Sequence, residues 1–282
     1  MLERRIASAG FGYYASPLLA RIGVPHAFST RMGGTSPPPF DSFNLGNPSG
    51  CELQDDYASI YHHFDQLQSA VGCGDRKRLW VHQVHGGNVI CVRPGDGFES
   101  GPKADALVSD DPARTLSVRV ADCVPVLLSS GDGRIVAAIH SGWRGVIAGV
   151  VPNALEVLRA LSPALAAGSF ADAKDKCSAV NGGLTAAIGP SIGFDAFEVG
   201  SEVVEQFERK FDSSLVRRRD DGKGHVDLRG AIFRQLLDAG IPPHRIDTTD
   251  RCTFTDADEF FSHRRDKGVT GRMAAIISPI GS

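Results

Sequence analysis

Residues 134–158 read RIVAAIHSGWRGVIAGVVPNALEVL and carry the clearest structural pattern in the chain. The apolar run that ends at His140 is typical of a buried strand, and the SGWRG that follows is typical of a tight turn. From Val146 to Leu158, apolar side chains recur every three or four residues, which predicts an amphipathic helix. Pro152 is compatible with this helix only within its first turn. The stretch therefore predicts a strand, a turn and a helix in direct succession.

Clusters of strands with helices between them are predicted on both sides of this stretch. Apolar runs typical of strands occur at 23–30, 78–84, 88–93, 105–109, 115–121, 126–129, 184–189 and 272–278. Helical patterns occur at 54–71, 201–211 and 227–239. Because the strands come in clusters, we predict an α/β (α+β) layered sandwich of mixed sheets flanked by helices, in a single domain spanning residues 1–282. The Ala-, Gly-, Ser- and Asp-rich residues 163–183 are predicted to form a surface insertion.

The composition is that of an ordinary globular protein. Of 282 residues, 42% are hydrophobic and 22% charged, and 33 acidic against 30 basic side chains give a net charge of −3, which argues against a broad nucleic-acid surface. No apolar run approaches the roughly 20 residues of a membrane-spanning helix, and the N-terminus lacks a signal-peptide pattern. Six cysteines without a CxxC pair indicate free thiols or metal ligands in a reducing compartment. We therefore expect a cytoplasmic monomer that binds neither membranes nor nucleic acid.

Three metal-binding residue types lie at the ends of predicted strands. No P-loop, GxGxxG or HExxH motif is present, but His85, Cys123 and His140 each end or follow a strand. Two imidazoles and one thiolate form the three-ligand set of a catalytic zinc site, with the fourth position left for water. The spacings of 38 and 17 residues match no short zinc motif, so a buried cysteine with two hydrogen-bonded histidines remains an alternative. Strand alternation would direct His82 and Asp122 to the opposite face, where they could orient neighbouring groups.

Basic side chains elsewhere in the chain can be interpreted as ligand-binding groups or as solvated surface groups. The free N–H groups of the SGWRG turn and the forked guanidinium of Arg144 suit a phosphate or carboxylate, although a surface arginine in a tight turn has the same pattern. The basic run FFSHRRDKGVTGR at 260–272 is interpreted first as a solvated loop. His62 and His63 lie in the predicted helix 54–71 and are expected to be solvated or interfacial.

Seven sequence blocks in order from about residue 26 to residue 276 make the chain recognisable. They are STRMGGTS with NLG, QVHG, ADALVS, ADCVP, HSGWRG, IGPSIG with FEVG, and FFSHRR with TGR. These blocks resemble the laccase-domain family, whose members are known as polyphenol oxidases, purine nucleoside phosphorylases and peptidoglycan-editing factors. The resemblance covers nearly the whole chain. It leaves out residues 1–22, an N-terminal extension, and residues 163–183.

The resemblance implies a fold, a metal and an activity. The implied fold is similar to that of the catalytic domain of cytotoxic necrotizing factors. The implied cofactor is one zinc ion held by His85, Cys123 and His140, and copper could replace it adventitiously. The implied activity is phosphorolysis of adenosine, inosine, guanosine and methylthioadenosine, with adenosine deamination as a second reaction. Family members often carry a cysteine pair and a tyrosine after IGPxIG. Here that position holds Asp195, Ala196 and Phe197, which puts the substrate preference in question.

Residues for the substrates are predicted from three loops. Arg144 is assigned a catalytic role beside the metal ligands, because it could hold phosphate together with Arg31 or Arg264. Ser36 and Asn44 in the loop 31–46 are predicted to contact the ribose or the base. Phosphorolysis needs phosphate held against C1′ while the purine leaves. Deamination needs a metal-activated water directed at C6 of the purine.

Three other functions use the same residues differently. Cys123 with His140 could act as a thiol nucleophile and its base. A hydrolase that cleaves an amide in peptidoglycan precursors could use either the thiol or the metal. A copper-dependent polyphenol oxidase would need histidines clustered around several metal ions, and this chain has nine histidines without an HxH pair. A binding module that holds metal without turnover is the last alternative.

Overall fold

The structure, a computed structural model, describes residues 1–162 and 183–281. Within these ranges the strands form two six-stranded sheets and one three-stranded sheet. In chain order the elements are β1 (Glu3–Ile6), β2 (Gly12–Ala15), α1 (Pro17–Ile22), β3 (His26–Ser29), α2 (Tyr57–Ala70), β4 (Lys77–Leu79), β5 (Val89–Val92), β6 (Ala106–Ser109), β7 (Arg114–Val120), β8 (Val124–Ser129), β9 (Val136–Ser141), α3 (Trp143–Ala148), α4 (Val150–Leu161), β10 (Thr185–Ile188), β11 (Glu198–Val199), α5 (Ser201–Lys210), β12 (Val216–Arg218), β13 (Gly224–Val226), α6 (Leu228–Asp238), β14 (Ile246–Asp247) and β15 (Met273–Ile277).

The first large sheet joins the two ends of the chain. Its strand order is β1-β2-β3-β15-β7-β4, antiparallel except for the β4–β7 pair. In the centre, Phe28 of β3 lies opposite Ala275 of β15. Residues 1–22, which lie outside the resemblance, supply α1 and the adjacent strands β1 and β2 at one edge of the sheet, and bury Phe11 and Leu19 completely. They are therefore an integral part of this sheet.

The second large sheet is buried on both faces. Its order is β14-β10-β8-β9-β6-β5. Along β8, Val126 and Leu128 belong to the apolar cluster that contains the side chains of α4 and α6, whereas Leu127 belongs to the cluster shared with the first sheet. A strand covered on both faces needs apolar residues at every position, which is why β8 and β9 are continuous apolar runs. The mixed, layered α/β architecture predicted from the sequence is confirmed.

The predicted strand, turn and helix at 134–158 are present, but the helix is in two pieces. Strand β9 leads through Gly142 into α3, which ends at Gly149 in a left-handed conformation with φ of 76°. Gly149 also begins α4, whose first turn contains Pro152 as expected. A glycine is tolerated inside a helical pattern, so periodicity alone did not reveal the break.

Several other predictions are confirmed with shorter ends, and some features were missed. Helix α2 begins after Asp56, whose carboxylate caps the N–H of Ala58, rather than at residue 54. The predicted strand 78–84 is wrong beyond Leu79, since only an isolated bridge at His82 continues it. The small sheet β11-β13-β12 was not predicted.

The proposed insertion 163–183 lies outside the described residues except for its last position, and the likeness to cytotoxic necrotizing factors stays a prediction. No helix in the described ranges is both long and apolar enough to cross a membrane.

Candidate metal centre

His85, Cys123 and His140 converge at the end of the second sheet. One ligand atom from each side chain lies within 4.8 Å of the other two. The two imidazole rings are nearly perpendicular, with 4.8 Å between centroids. His140 is buried, Cys123 is partly buried and His85 is exposed, so the group opens to solvent on one side. Three donors this close can share one ion, and the exposed side leaves room for a further ligand.

Backbone geometry brings the three residues together across the sequence. His140 lies on β9 and pairs in register with Pro125 of β8, two residues after Cys123. Asp122 adopts φ of 90°, which ends the β7 extension and turns the chain into β8. His85 adopts φ of 61° in the loop between β4 and β5. Residues other than glycine seldom adopt a left-handed backbone conformation. Here Asp122 precedes the ligand Cys123, and His85 is itself a ligand.

Asp105, which the sequence analysis did not single out, positions two of the three ligands. Its fully buried carboxylate accepts a hydrogen bond from Nδ1 of His140 at 2.8 Å. It also accepts backbone N–H bonds from His85 at 2.8 Å, Gly86 at 2.6 Å and Val84 at 3.3 Å. The carboxylate thereby fixes the His140 tautomer with Nε2 free to bind a metal, and holds the loop that presents His85. The only sequence signal was its place in the ADALVS block.

The charges at this centre stabilise a thiolate. Burial alone would raise the pKa of the Cys123 thiol, but the charge of His140 and hydrogen bonds from both imidazoles outweigh burial and lower that pKa. Burial would likewise lower the pKa of His140, but Cys123 and Asp105 raise it. For Asp105, the hydrogen bond from His140 and the backbone N–H groups overcome the effect of burial, so its pKa is lowered. The thiolate is the form of cysteine that binds metals and attacks carbonyl groups.

Gly142 has no side chain, and the space where one would lie is occupied by His85 and Cys123. A Cβ atom at this position would lie 2.9 Å from Cδ2 of His85 and 3.0 Å from Sγ of Cys123. Real Cβ atoms are essentially never found closer than 3.0 Å to another heavy atom, and a contact at 3.0 Å is already unusually tight. The glycine of the HSGWRG block is therefore required by the close approach of the turn to the ligands.

The predicted substrate contacts in the loop 31–46 are used within the protein. Ser36 donates to Asp55 at 2.6 Å, and Nδ2 of Asn44 donates to the same carboxylate at 2.9 Å. The Oδ1 atom of Asn44 accepts N–H bonds from Gly46 and Arg272. Both side chains are buried, and these bonds hold the loop in shape.

His63 is buried, so the expectation that it is solvated or interfacial is wrong. Its Nδ1 contacts the carbonyl of Asn44 at 2.9 Å, and its Nε2 accepts the N–H of Thr35 at 3.1 Å. It therefore fixes the loop 31–46 on α2, while His62 stays exposed.

The three arginines proposed to contact phosphate differ in their availability. Arg31 donates to the carboxylate of Asp41 at 2.8 Å and to two backbone carbonyls. Arg264 donates to the carbonyl of Glu198 at 2.8 Å. Arg144 is exposed and lies over the Trp143 ring, 4.5 Å from its centroid, without a hydrogen bond to any residue the structure describes. Of the three, Arg144 has the guanidinium free for a ligand.

Asp122 and Ser191 lie nearby in structural roles. The Asp122 carboxylate accepts from the Thr253 hydroxyl at 2.6 Å and from the N–H of Arg264 at 2.7 Å, which fixes the C-terminal loop beside Cys123. Residues 189–193 read GPSIG, the spacing of a serine-hydrolase nucleophile. Ser191 is completely buried, and its backbone pairs with Cys252, so it is not accessible to a substrate.

Comparison with known proteins shows similarity over most of the chain. Residues 25–279 match the family described as multi-copper polyphenol oxidoreductase laccase. The chain is 37% identical over 258 residues to purine nucleoside phosphorylase YfiH of Shigella flexneri, covering 90% of this chain and 93% of the relative. It is 36% identical over 257 residues to a purine nucleoside phosphorylase of Mycobacterium bovis, covering 91% and 92%.

Solved structures share the same fold. YlmD from Geobacillus stearothermophilus superimposes with a TM-score of 0.80 at 27% sequence identity, covering 99% of each chain. The hypothetical protein YfiH of Bacillus licheniformis gives a TM-score of 0.79 at 26% identity, covering 95% of this chain and 96% of that chain.

Proposed function

The chain belongs to the family of multi-copper polyphenol oxidoreductase laccases, and because its relatives are named purine nucleoside phosphorylases, we propose that it is a zinc-dependent purine nucleoside phosphorylase. The proposed substrates are phosphate with adenosine, inosine, guanosine or methylthioadenosine, and adenosine deamination is a second proposed reaction. The observation that carries the proposal is the convergence of His85, Cys123 and His140 on one point with a side open to solvent.

The donor set fits zinc. One thiolate and two imidazoles are ligands that zinc favours, and the carboxylate of Asp105 behind His140 is the outer partner that metal-bound histidines commonly have. When bound, zinc supplies a Lewis acid and lowers the pKa of a coordinated water to about 7. In a reducing cytoplasm, where we place the enzyme, Cys123 stays available as a thiolate.

The chain's own residues bind and orient the substrates in this proposal. Arg144, whose guanidinium is free, receives the phosphate at the start of α3 beside the ligands. Arg31 and Arg264 are already bonded within the protein, so they support the loops around the site. Asp105 keeps the Nδ1 proton on His140 throughout.

A single metal ion suits this chain better than a copper cluster. Among the residues that the structure describes, one group of at least three histidine, cysteine or acidic side chains is close enough to hold a metal, and it is the trio. Oxidases with several coppers need several such groups. Copper binds tightly to the same donors, so purified protein can carry it adventitiously.

A thiol hydrolase that cleaves amides in peptidoglycan precursors is the second candidate. It is favoured by the contact between Cys123 and His140 and by the lowered pKa of the thiol. In that case metal-free protein would hydrolyse the amide, and alkylation of the thiol would abolish the reaction. A chelator that stops turnover of the amide would instead assign the reaction to the metal.

Metal-analysed protein incubated with inosine, with and without phosphate, tests the proposal. We expect hypoxanthine and ribose 1-phosphate only when phosphate is present. Cys123→Ala should lose both bound zinc and turnover. Cys91→Ala, which alters an exposed thiol on β5, is the matched control and should keep both. Phosphate-independent release of hypoxanthine, or full turnover by Cys123→Ala, would contradict the proposal.

A further inference from the structure

A cavity lined in part by His82, three residues before His85, contains basic and aromatic side chains. Its volume is about 370 Å³, within the range of pockets that hold small organic ligands. It lies between the loop 45–50, helix α2 and strands β4 and β7. Its basic side chains are Arg78, Arg119 and His82, and its aromatic rings include Tyr57, Tyr61 and Trp80. None of the residues that line it is Asp or Glu.

The two arginines in this cavity have no carboxylate bonded to them in the described chain, although Asp65 acts on Arg78 from a distance. Both are half-buried, and neither guanidinium makes a hydrogen bond or ion pair with a described residue. Burial and then the charge of Arg119 lower the pKa of Arg78 to about 10, and burial also lowers the pKa of Arg119. Other partly buried arginines do make hydrogen bonds, and Arg229 and Arg272 donate to backbone carbonyls. Arg114, for example, contacts Asp111 at 3.1 Å.

Aromatic contacts hold these side chains but leave their donors free. Arg78 lies over the Phe64 ring at 3.7 Å, and Arg119 lies 5.7 Å from the centroid of Trp80. Rings cover the faces of a guanidinium, whereas its N–H groups point outward from its edges. Gly46 is packed against the Arg119 stem, since a Cβ there would lie 2.7 Å from its Cδ. The arginine is therefore held in place with its N–H groups available.

The cavity shares its framework with the metal centre. Gln83, two residues before His85, donates to the carbonyl of Arg119 at 2.7 Å and accepts its N–H at 2.8 Å. Burial and the charge of Arg119 lower the pKa of Arg272, whereas Cys123 raises it, so this arginine is within electrostatic range of both sites.

We propose that this cavity is a binding site for the phosphate group of a small phosphate ester, whose organic part packs against the aromatic rings. Two like charges held in one cavity without a bonded carboxylate are costly, and a dianion offsets that cost while using the fork geometry of both guanidinium groups. A lone phosphate ion has the same charge chemistry but leaves the aromatic surface bare. The site would bind its ligand whether or not the chain cleaves nucleosides.

Binding measured by calorimetry, with no nucleoside turnover, tests this site. The probes are adenosine 5′-monophosphate and inorganic phosphate. All proteins carry Arg144→Ala, so the phosphate contact proposed above is removed. In this background Arg119→Gln should weaken binding of the ester about 10- to 150-fold, as expected for loss of a charge-assisted hydrogen bond. Arg134→Gln, an exposed arginine in the turn between β8 and β9, is the matched control and should leave the affinity unchanged.

Each result of the binding measurement either supports or overturns the proposed site. Loss of affinity for the ester supports the site as proposed, and the same loss confined to inorganic phosphate supports the site with free phosphate as its ligand. If Arg119→Gln does not fold, as judged by thermal unfolding, Arg78→Gln replaces it. Unchanged affinity in both variants, or no binding of either probe, overturns the proposal. Phosphorolysis can fail while this binding persists, so the two proposals are refuted separately.

Discussion

Asp105→Asn removes the charge behind the metal centre while keeping the size of the side chain. The carboxylate accepts N–H bonds from four groups, with His85 and His140 on Oδ1 and Val84 and Gly86 on Oδ2. An amide has one accepting oxygen, so whichever way it points, its NH₂ faces two of these donors. Either His140 changes tautomer and loses its free Nε2, or the loop carrying His85 loses its anchor.

The expected loss is large enough to measure. Removal of an outer partner of a metal-bound histidine typically costs 10- to 100-fold in metal affinity, which corresponds to about 1.4–2.7 kcal/mol. Leaving buried donors unsatisfied costs about 1–3 kcal/mol in the free energy of unfolding. Competition with a chromophoric chelator measures the zinc affinity, and denaturant unfolding measures the stability.

Asp111→Asn is the matched control for this experiment. Asp111 is also buried and accepts from the N–H of Ala113 and from Nε of Arg114, but it lies in the turn before β7, away from the ligands. We expect it to lose stability while keeping its zinc affinity. An Asp105→Asn protein that binds zinc within about twofold of the wild type would refute the positioning role, as would an equal loss of affinity in the control.

Three further results are expected. Gly142→Ala should lose the metal, because its Cβ would approach His85 and Cys123 to 2.9 and 3.0 Å, and full zinc occupancy by elemental analysis would contradict this. Arg144→Ala should lower kcat/KM for phosphate by about 10- to 150-fold while changing adenosine deamination less, and equal losses would show that the arginine is not specific for phosphate. Burial lowers the pKa of His63, so its proton is taken up preferentially by the unfolded chain, and stability should fall as the pH drops below the unfolded pKa of about 6.5. The Tm of His63→Gln should depend less steeply on pH between 7 and 5.5, and parallel pH profiles would contradict that assignment.

The sequence was sufficient for the central layers of the fold because burial imposes a simple pattern there. Strands β8 and β9 are covered on both faces, so they appear as unbroken apolar runs, and α4 repeats its apolar side chains at helical spacing. The small sheet β11-β13-β12 escaped prediction because strands of two or three residues are too short to show a period. The break at Gly149 depends on a backbone angle that periodicity does not encode.

The site was only partly predictable, for a physical reason that differs from residue to residue. Residue chemistry and strand ends identified the trio as one of two possibilities, and the resemblance favoured the metal. Asp105 meets His140 across 35 residues, so its role depends on the tertiary fold. Ser36 and Asn44 were predicted as ligand contacts because they are polar and lie in a Gly-rich loop, and only the fold shows that both donate to the buried Asp55.

Arg78 and Arg119 were missed for a similar reason. Each lies on a strand and outside the recognised sequence blocks, and ordinary surface arginines look the same. Only the folded chain shows that both enter one cavity without a carboxylate between them. Whether an arginine has an acidic partner depends on the neighbours that folding brings to it. The position of the arginine in the sequence therefore does not show it.

X-ray absorption at the zinc edge of purified, metal-analysed protein tests the metal centre most directly. We expect one zinc per chain with one sulfur at about 2.3 Å and nitrogen or oxygen atoms at about 2.0–2.1 Å. Cys123→Ala should lose its zinc, and any zinc that it retains should show no sulfur contribution, whereas Cys91→Ala should keep both the zinc and the sulfur contribution. A zinc spectrum without sulfur, or a sulfur contribution that survives Cys123→Ala, would contradict the assignment of these three residues as the metal ligands.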